Sequence, residues 1–246
     1  MELEGRIALV TGAAGTIGAA ISKVLIDHGA LVVLADIAEA PLANICRNLG
    51  ERAVPLIMDL SSTSSVSDSM RGVLKQNGTV DILINNAGIL TNNKVEATTL
   101  EEWKRINAVN IDAAFLLTKI TLPGMRQKKW GRIINISSYA AKCGGLTAGT
   151  AYSVSKSALI GLTFSVARET AHQGITVNAV APAYVMSPMV SQQLTAAQRD
   201  AQLANIPVGR FCEPEEVAHT VAFLASPLAG FVTGEVVDMN GGLQFD

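Results

Sequence analysis

Ile7-Ala8-Leu9-Val10-Thr11-Gly12-Ala13-Ala14-Gly15-Thr16-Ile17-Gly18 is the stretch that decides the fold, because an apolar run leads through glycines into a helical pattern. Glycines at a strand-to-helix turn let the backbone approach a pyrophosphate, whose charge the helix N-terminus then stabilises. Glycine clusters also occur in tight turns without any ligand, because glycine readily adopts positive φ. The stretch predicts a dinucleotide-binding unit whose phosphate-loop candidates are Gly12, Gly15, Thr16, Ile17 and Gly18.

The rest of the chain repeats this alternation of apolar runs and helical patterns. Further runs lie at 31–34, 53–57, 82–84, 133–136, 175–180 and 236–238, and helix-length segments include 17–28, 64–76, 100–125 and 151–172. Runs that are apolar throughout are typical of strands buried on both faces of a parallel sheet. We therefore predict one α/β domain over 1–246, a doubly wound parallel sheet (Rossmann fold) of about seven strands with helices on both faces. The polar stretch 187–210 is predicted to be a substrate flap or a pair of short helices.

The composition excludes several classes of protein. Hydrophobic residues make up 49% and charged residues 16% of the 246 positions, which excludes a disordered chain. The formal charge is −2 with no block of Lys or Arg, so no nucleic-acid-binding surface is indicated. Cys46, Cys143 and Cys212 are an odd number for a disulfide framework and form no CxxC pair or Cys/His spacing typical of zinc sites. We expect a cytoplasmic protein, because the sequence shows neither a secretory signal nor a membrane-spanning apolar run.

The acidic residue that ends the second run bears on the choice of coenzyme. Asp36 lies 24 residues after Gly12, about where a dinucleotide fold places a carboxylate that accepts both adenosine ribose hydroxyls. Such a carboxylate would repel a 2′-phosphate, and no Arg or Lys lies at 13–16 or 37–38 to offset it. The spacing alone also allows Asp36 to be a solvated turn residue. The pattern favours NAD over NADP.

The most specific chemical pattern is Tyr152-Ser153-Val154-Ser155-Lys156 in a helical segment. Residues four apart share one helical face, so the ammonium can stabilise the phenolate and lower the pKa of Tyr152 towards a usable range. An amphipathic pair with the lysine in solvent would give the same spacing. Ser137 and Ser138 follow the run 133–136, at the carboxyl end of a predicted strand, where open α/β sheets bind ligands. Serines at such a position also commonly cap or form turns without contacting a ligand.

Taken in order, these residues resemble the motifs of the classical short-chain dehydrogenases/reductases over essentially the full chain. The matching positions are 11–18, Asp59, 86–88, Asn110, Ser138, Tyr152 with Lys156, and 178–182.

The resemblance implies a role for each matching residue. Tyr152 would be the catalytic acid/base, Ser138 would bind and polarise the substrate oxygen, and Lys156 would lower the pKa of Tyr152 and bind the nicotinamide ribose. Asn110 would hold a water in the proton relay. The remaining implied coenzyme contacts are Asp36, Ile37, Asp59, Leu60, Asn86, Ala87, Gly88, Tyr152, Pro182, Val185 and Ser187.

Three positions depart from the family's pattern. Thr16 replaces the usual middle glycine, and its hydroxyl is predicted to cap the following helix. The usual Pro-Gly is Pro182-Ala183. The segment 139–151 is one residue longer than in similar oxoacyl reductases, and the extra residue is predicted to bulge towards the substrate.

The substrate is predicted to be a neutral secondary alcohol or its ketone, because the candidate pocket residues are mostly apolar. These are Tyr139, Cys143, Leu146, Tyr184, Met186 and Met189, in addition to Ser138 and Tyr152. The alternative enzyme is a 3-oxoacyl-[acyl-carrier-protein] reductase, which the resemblance associates with NADPH. The basic group Arg126, Lys128, Lys129 and Arg132 could dock an acidic carrier or be a solvated helix end. A non-catalytic dinucleotide-binding scaffold is the remote alternative.

The resemblance also implies a homotetramer. The long, weakly charged segments 100–125 and 151–172 are compatible with pairing across a symmetric interface.

Overall fold

The computed structural model describes residues 2–187 and 195–245. Within them, one parallel sheet contains β1 (Ile7–Thr11), β2 (Leu31–Asp36), β3 (Ala53–Ile57), β4 (Ile82–Asn85), β5 (Gly131–Ile136), β6 (Ile175–Pro182) and β7 (Val236–Met239). The strand order is β3-β2-β1-β4-β5-β6-β7, with helices on both faces. The predicted doubly wound Rossmann-type sheet is confirmed.

The helices connect consecutive strands. Their bounds are α1 (Thr16–Asp27), α2 (Glu39–Leu49), α3 (Thr63–Asn77), α4 (Leu100–Asn107), α5 (Ala113–Lys128), α6 (Ala140–Cys143), α7 (Thr150–Thr170), α8 (Ala196–Leu203) and α9 (Pro214–Ala225). Helices α2 and α9 lie outside the segments that the sequence singled out as helical.

Two hydrophobic layers explain why the strands are apolar throughout. On β1, Ala8 and Val10 pack in one layer with α1, α2 and α9, whereas Leu9 packs in the other with α3, α5 and α7. Successive side chains of a strand point to opposite faces, so a sheet covered on both sides needs apolar residues at every position. All positions of β4, β5 and β6 are accordingly buried.

One predicted helix is interrupted. The segment 100–125 was predicted as continuous, but a π-helical turn, Ala108–Asp112, separates α4 from α5. A π-turn inserts one extra residue into a helix and re-aims the side chains around it, often at a functional site. Here the re-aimed residue is the buried Asn110.

The topology brings four strand ends to one edge. The chain crosses the sheet between β3 and β4, so β1 lies between β2 and β4. Ligands of open α/β sheets bind outside the carboxyl ends of the strands at such a switch point. Thr11, Asn85, Ile136 and Pro182 end their strands there.

The predicted flap can be followed only in part. Positions 188–194 of the stretch 187–210, and with them the pocket candidate Met189, lie outside the described residues. Helix α8 and a turn form the rest. Among the helices within 2–187 and 195–245, none has the length and apolar character needed to cross a membrane.

Candidate active site

The glycine loop is held against the turn that follows β4. The Nδ2 of Asn86 donates to the carbonyl oxygens of Thr11 (2.8 Å) and Gly12 (3.2 Å). The hydroxyl of Thr11 accepts from the backbone N–H groups of Asn86 and Ala87. Asn86 therefore shapes the phosphate loop directly, in addition to the ribose contact that the sequence predicted for it.

Two glycines of the loop are required by close backbone approach. Gly12 has φ of +63°, and a Cβ there would lie 2.9 Å from the Cα of Ala87. A Cβ on Gly18 would lie 2.2 Å from the carbonyl oxygen of Gly12. This packing holds the loop tightly over the start of α1.

The predicted cap by Thr16 is wrong. The N-cap of α1 is Gly15, in an extended conformation, with no side-chain cap hydrogen bond, and Thr16 is the first helical residue. A side chain that capped this end would occupy the N–H groups that a phosphate needs. The uncapped N-terminus of α1 therefore fits a pyrophosphate, and the loop geometry accommodates threonine in place of the family's glycine.

Substituting Gly18 with alanine should disrupt this loop. Because the new Cβ would overlap the Gly12 carbonyl, the loop must shift, and we expect at least about tenfold weaker coenzyme binding and a loss of about 2 kcal/mol in stability. The control is Gly161→Ala on α7, where a Cβ meets nothing within 4 Å. It should leave binding unchanged and stabilise by about 0.5–1 kcal/mol. Calorimetric unfolding measures the stability of each variant, and NADH fluorescence titration measures its coenzyme binding. Equal results for the two variants would contradict the loop assignment.

Asp36 faces the glycine loop. Its Oδ2 accepts from the N–H of Ala14 and its Oδ1 from the N–H of Ala38, both at 2.9 Å. A carboxylate has about four lone-pair positions, so the two oxygens can still accept ribose hydroxyls. Asp36 is thus a built-in part of the loop and not a freely solvated turn residue. The neighbouring Ile37 is 66% exposed, which leaves an apolar surface available to an adenine ring.

Asp59, which the resemblance implies as an adenine contact, is hydrogen-bonded to Ser61. Its carboxylate accepts from the backbone and hydroxyl of Ser61, and these hydrogen bonds lower the pKa of Asp59. The side chain is therefore already engaged, and an adenine would share it with Ser61. Leu60, the other predicted contact, packs partly buried against the second hydrophobic layer.

Buried polar contacts fix β5 against α7 and so set the catalytic geometry. The amide of Asn135 accepts from Asn85 at 2.8 Å and donates to Thr163 at 2.9 Å. The hydroxyl of Ser137 donates to the carbonyl oxygen of Lys156 at 2.8 Å. Ser137 is therefore a buried structural residue, and the cavity-facing hydroxyl of this strand end is that of Ser138.

Ser138 and Tyr152 both line one cavity, and the hydroxyl of Ser138 accepts from the N–H of Ala140 at 3.1 Å. Tyr152 is half-buried and borders the cavity. Burial raises the pKa of Tyr152, and the nearby Ser138 side chain opposes this in part. The direction is opposite to that expected from Lys156, because burial of the phenol is the main cause of the shift. The lowering by Lys156 stays a prediction for the complex with an oxidised, positively charged nicotinamide.

Lys156 is buried, and its Nζ lies 5.8 Å from the centroid of the Tyr152 ring. The ammonium donates to the carbonyl oxygen of Ile136 at 2.7 Å. Burial lowers the pKa of Lys156 from 10.5 to about 8. A Cβ on Gly88 would lie 3.1 Å from this Nζ, so a glycine at 88 keeps the lysine within reach of a ribose.

This buried lysine should leave a pH signature in stability. Its pKa is about 8 folded and 10.5 unfolded, so between these values the unfolded chain binds the extra proton and stability rises with pH. Relative to Lys156→Met, the unfolding free energy of the native sequence should increase by about 3 kcal/mol between pH 7 and pH 10.5. Urea unfolding across this range measures the difference. A difference that stays constant with pH would contradict the buried charge.

Asn110 is held by the turn after β4. Its Oδ1 accepts from the N–H of Ile89 at 2.9 Å, and its Nδ2 donates to the Ile89 carbonyl (3.1 Å) and the Ser155 hydroxyl (2.9 Å). The Ser155 hydroxyl donates in turn to the carbonyl of Tyr152. Asn110 thus links the π-turn to the helix of Tyr152 and Lys156, while its predicted water contact stays a prediction.

A cavity of about 330 Å³ brings Ser138, Tyr152 and Lys156 together with some of the predicted coenzyme residues. Its lining includes Ile17, Asn86, Gly88, Ser138, Tyr139, Cys143, Leu146, Tyr152, Lys156, Pro182, Tyr184, Val185 and Ser187. The cavity reaches from Ile17 on α1 to Tyr152, which fits the nicotinamide end of a dinucleotide beside Ser138. Asn110 and the predicted adenosine contacts Asp36, Ile37, Asp59 and Leu60 do not line it. Of the pocket residues predicted from the sequence, Met186 is absent from the lining.

Comparison with known proteins agrees with this arrangement. A family model described as enoyl-(acyl carrier protein) reductase matches residues 12–244. The chain is 40% identical to 3-oxoacyl-[acyl-carrier-protein] reductase FabG of Vibrio harveyi and 41% identical to that of Vibrio cholerae, each over 99% of both chains. It is 35% identical to FabG of Thermotoga maritima, again over 99% of both chains.

The chain belongs to the classical short-chain dehydrogenases/reductases. It is an oxidoreductase of the kind that acts on a hydroxyl or keto group with a nicotinamide dinucleotide.

Some contacts of this short-chain dehydrogenase/reductase were not predicted from the sequence. Thr11 and Ser155 organise Asn86 and Asn110, and Asn135 ties the central strands to α7. All are buried or partly buried polar contacts, and Thr11 opens the motif 11–18. Asn135 interrupts an otherwise apolar run, which is the signal that could have drawn attention to it. Nothing in the local pattern marks Ser155.

Proposed function

We propose that this protein catalyses reversible hydride transfer between NAD(H) and the keto carbon of a 3-oxoacyl thioester. The convergence of Ser138, Tyr152 and Lys156 on one cavity, with the Lys156 ammonium 5.8 Å from the Tyr152 ring centroid, carries the proposal. Relatives named as 3-oxoacyl-[acyl-carrier-protein] reductases, matched over the full chain, support the substrate class. Asp36, with no neighbouring Arg or Lys, supports NAD over NADP.

The residues of the chain would divide the chemistry as follows. A bound nicotinamide supplies or accepts the hydride at the carbon. In the reducing direction Tyr152 donates its proton to the keto oxygen as the alcohol forms, and in the oxidising direction it takes that proton back. Ser138 donates a hydrogen bond to the same oxygen. The ammonium of Lys156 stabilises the phenolate that remains on Tyr152, and Asn110 holds the helix that carries both groups.

The charges near β5 support a small thioester more than a tightly docked carrier protein. Of the basic group expected to meet an acidic carrier, Arg132 is buried, and Lys128 pairs with the buried Asp81 at 2.7 Å. Arg126 donates to Gln173. Arg132 is therefore not part of a docking surface, contrary to the expectation, and Lys128 is only partly available.

An NAD-dependent dehydrogenase of a neutral secondary alcohol is the second candidate. The observation that favours it is the lining of the cavity, where Leu90, Leu146 and Ala148 leave few fixed charges near Ser138. The non-catalytic scaffold has less support, because the site retains the full set Asn110, Ser138, Tyr152 and Lys156.

A substrate panel tests the proposal. The purified protein is assayed by nicotinamide absorbance with acetoacetyl-CoA, acetoacetyl-carrier protein and simple aliphatic, cyclic and aromatic ketones. We expect the acetoacetyl thioesters to give kcat/KM at least about tenfold above any simple ketone. Preference for a simple ketone would favour the second candidate. No turnover of any substrate would favour the scaffold.

Exposed apolar side chains support a homotetramer. Phe115 on α5 and Phe164 on α7 are 54% and 51% exposed, and Leu228, Phe231 and Phe245 lie exposed near the C-terminal strand. Exposed apolar patches of this kind mark association surfaces, and two separate surfaces can build a dihedral tetramer. Light scattering would give four times the 25.8 kDa chain mass if both surfaces are used.

Three unpaired cysteines support the proposed cytoplasmic location.

A further inference from the structure

The wall of the substrate cavity is bound by a lysine that no motif includes. The Nζ of Lys94 donates to the carbonyl oxygens of Gly145 and Ala148 at 2.7 Å each, and to that of Leu146 at 3.4 Å. An ammonium has three N–H donors and no acceptor. Three carbonyl oxygens on one short segment therefore use its full donor capacity.

The segment bound by Lys94 has little regular structure of its own. Gly144 and Gly145 both have φ of +73°, and no helix or strand is present between α6 and α7. A Cβ on Gly145 would lie 2.1 Å from the hydroxyl oxygen of Ser153, so the segment packs tightly on α7 at this point. Carbonyls that have no partner in a helix or sheet need other donors, and Lys94 supplies them.

Lys94 is itself held by a rigid support. The Glu102 carboxylate on α4 accepts from the Thr91 hydroxyl and from the Asn93 amide, each at 2.6 Å. The carbonyl of Thr91 accepts from the N–H of Gly149 at 2.7 Å, and that of Asn93 accepts from Thr150 at 3.0 Å. The turn 89–94 therefore joins α4 to the end of the cavity wall.

We propose that Lys94 is a positioning residue that holds the cavity wall 145–148 in place and so limits the length of substrate that the cavity accepts. Gly145, Leu146, Thr147 and Ala148 all line the cavity that contains Ser138 and Tyr152. The segment 139–151, with its additional residue, is the part that gains an anchor from Lys94. The consequence for substrate length rests on the proposed function, whereas the anchoring of the wall does not.

Three variants test this assignment. Lys94→Met removes the donors and keeps the unbranched stem, Lys94→Arg keeps donors, and Lys75→Met removes an exposed lysine on the distant α3. Hydrogen exchange is followed in the peptide covering 144–150, whose reporters are the N–H groups of Gly149 and Thr150. Steady-state kinetics are measured with NADH and with acetoacetyl-CoA or 3-oxooctanoyl-CoA.

For Lys94→Met we expect exchange in 144–150 to accelerate at least about tenfold, with exchange in β5 unchanged. KM for acetoacetyl-CoA should rise about tenfold while kcat stays within about threefold. The ratio of kcat/KM for 3-oxooctanoyl-CoA to that for acetoacetyl-CoA should rise, because the wall no longer limits substrate length. Lys94→Arg should restore most of both effects, and Lys75→Met should resemble the native protein.

Two results would overturn the proposal. Unchanged exchange in 144–150 would show that Lys94 does not hold the wall. Equal losses in KM, kcat and NADH affinity would indicate general damage instead of positioning. If the native protein reduces no thioester, the proposed function fails, and the exchange data alone still decide whether Lys94 anchors the wall.

Discussion

Replacing Tyr152 with phenylalanine is expected to lower turnover about a thousandfold or more, because the substrate oxygen then has no acid or base in reach. The phenol lines the same cavity as Ser138, and the ring itself remains in place in the variant. NADH affinity should stay within about threefold, since the phosphate loop and Lys156 are untouched. Single-turnover kinetics and fluorescence titration measure the two quantities separately.

Tyr139→Phe is the matched control for that variant. Tyr139 lines the same cavity and carries the same phenol group, but it lies outside the predicted catalytic set. We expect this variant to keep turnover within about tenfold of the native value. Turnover by Tyr152→Phe comparable to that of Tyr139→Phe would remove Tyr152 from the chemistry.

Changing the end of β2 should reverse the coenzyme preference. In the double variant Asp36→Asn with Ile37→Arg, the carboxylate that would repel a 2′-phosphate is gone and a guanidinium is added at an exposed position. The ratio of kcat/KM for NADPH to that for NADH should rise about a hundredfold or more, because charge-assisted hydrogen bonds are each worth about 1.5–3 kcal/mol.

The ratio is the informative quantity in that experiment. Asp36 also accepts from the backbone of Ala14 and Ala38, so its loss can weaken the binding of both coenzymes equally. Ile37→Arg alone, which keeps the carboxylate, should shift the ratio much less. A native protein that already prefers NADPH, or a ratio unaffected by the double variant, would contradict the role given to Asp36.

The sheet was predictable because burial on both faces constrains every strand position. Leu9 packs on one side of β1 while Ala8 and Val10 pack on the other, and this requirement produces the unbroken apolar run that the sequence displays. The helix 100–125 was less predictable. Its apolar periodicity continues through the π-turn, and the extra residue depends on Asn110 bonding Ile89 and Ser155 across the fold.

The candidate site shows the same division between local and long-range causes. Tyr152 and Lys156 share a helical face by spacing alone, whereas the opposing effect of burial on the pKa of Tyr152 needed the packed structure. The cap predicted for Thr16 failed because the helix begins at Thr16 itself, one residue earlier than a cap at this position requires. The contacts of Lys94 could not be predicted from the sequence, because its three carbonyl acceptors lie about fifty residues further along the chain.

The most direct test of the central claim is one assay of the native protein with acetoacetyl-CoA, run in parallel with NADH and NADPH. We expect reduction of the keto group, with kcat/KM for NADH exceeding that for NADPH by at least about tenfold. Reduction driven mainly by NADPH would contradict the coenzyme assignment made from Asp36. No reduction with either coenzyme, by protein that binds NADH, would contradict the proposed substrate.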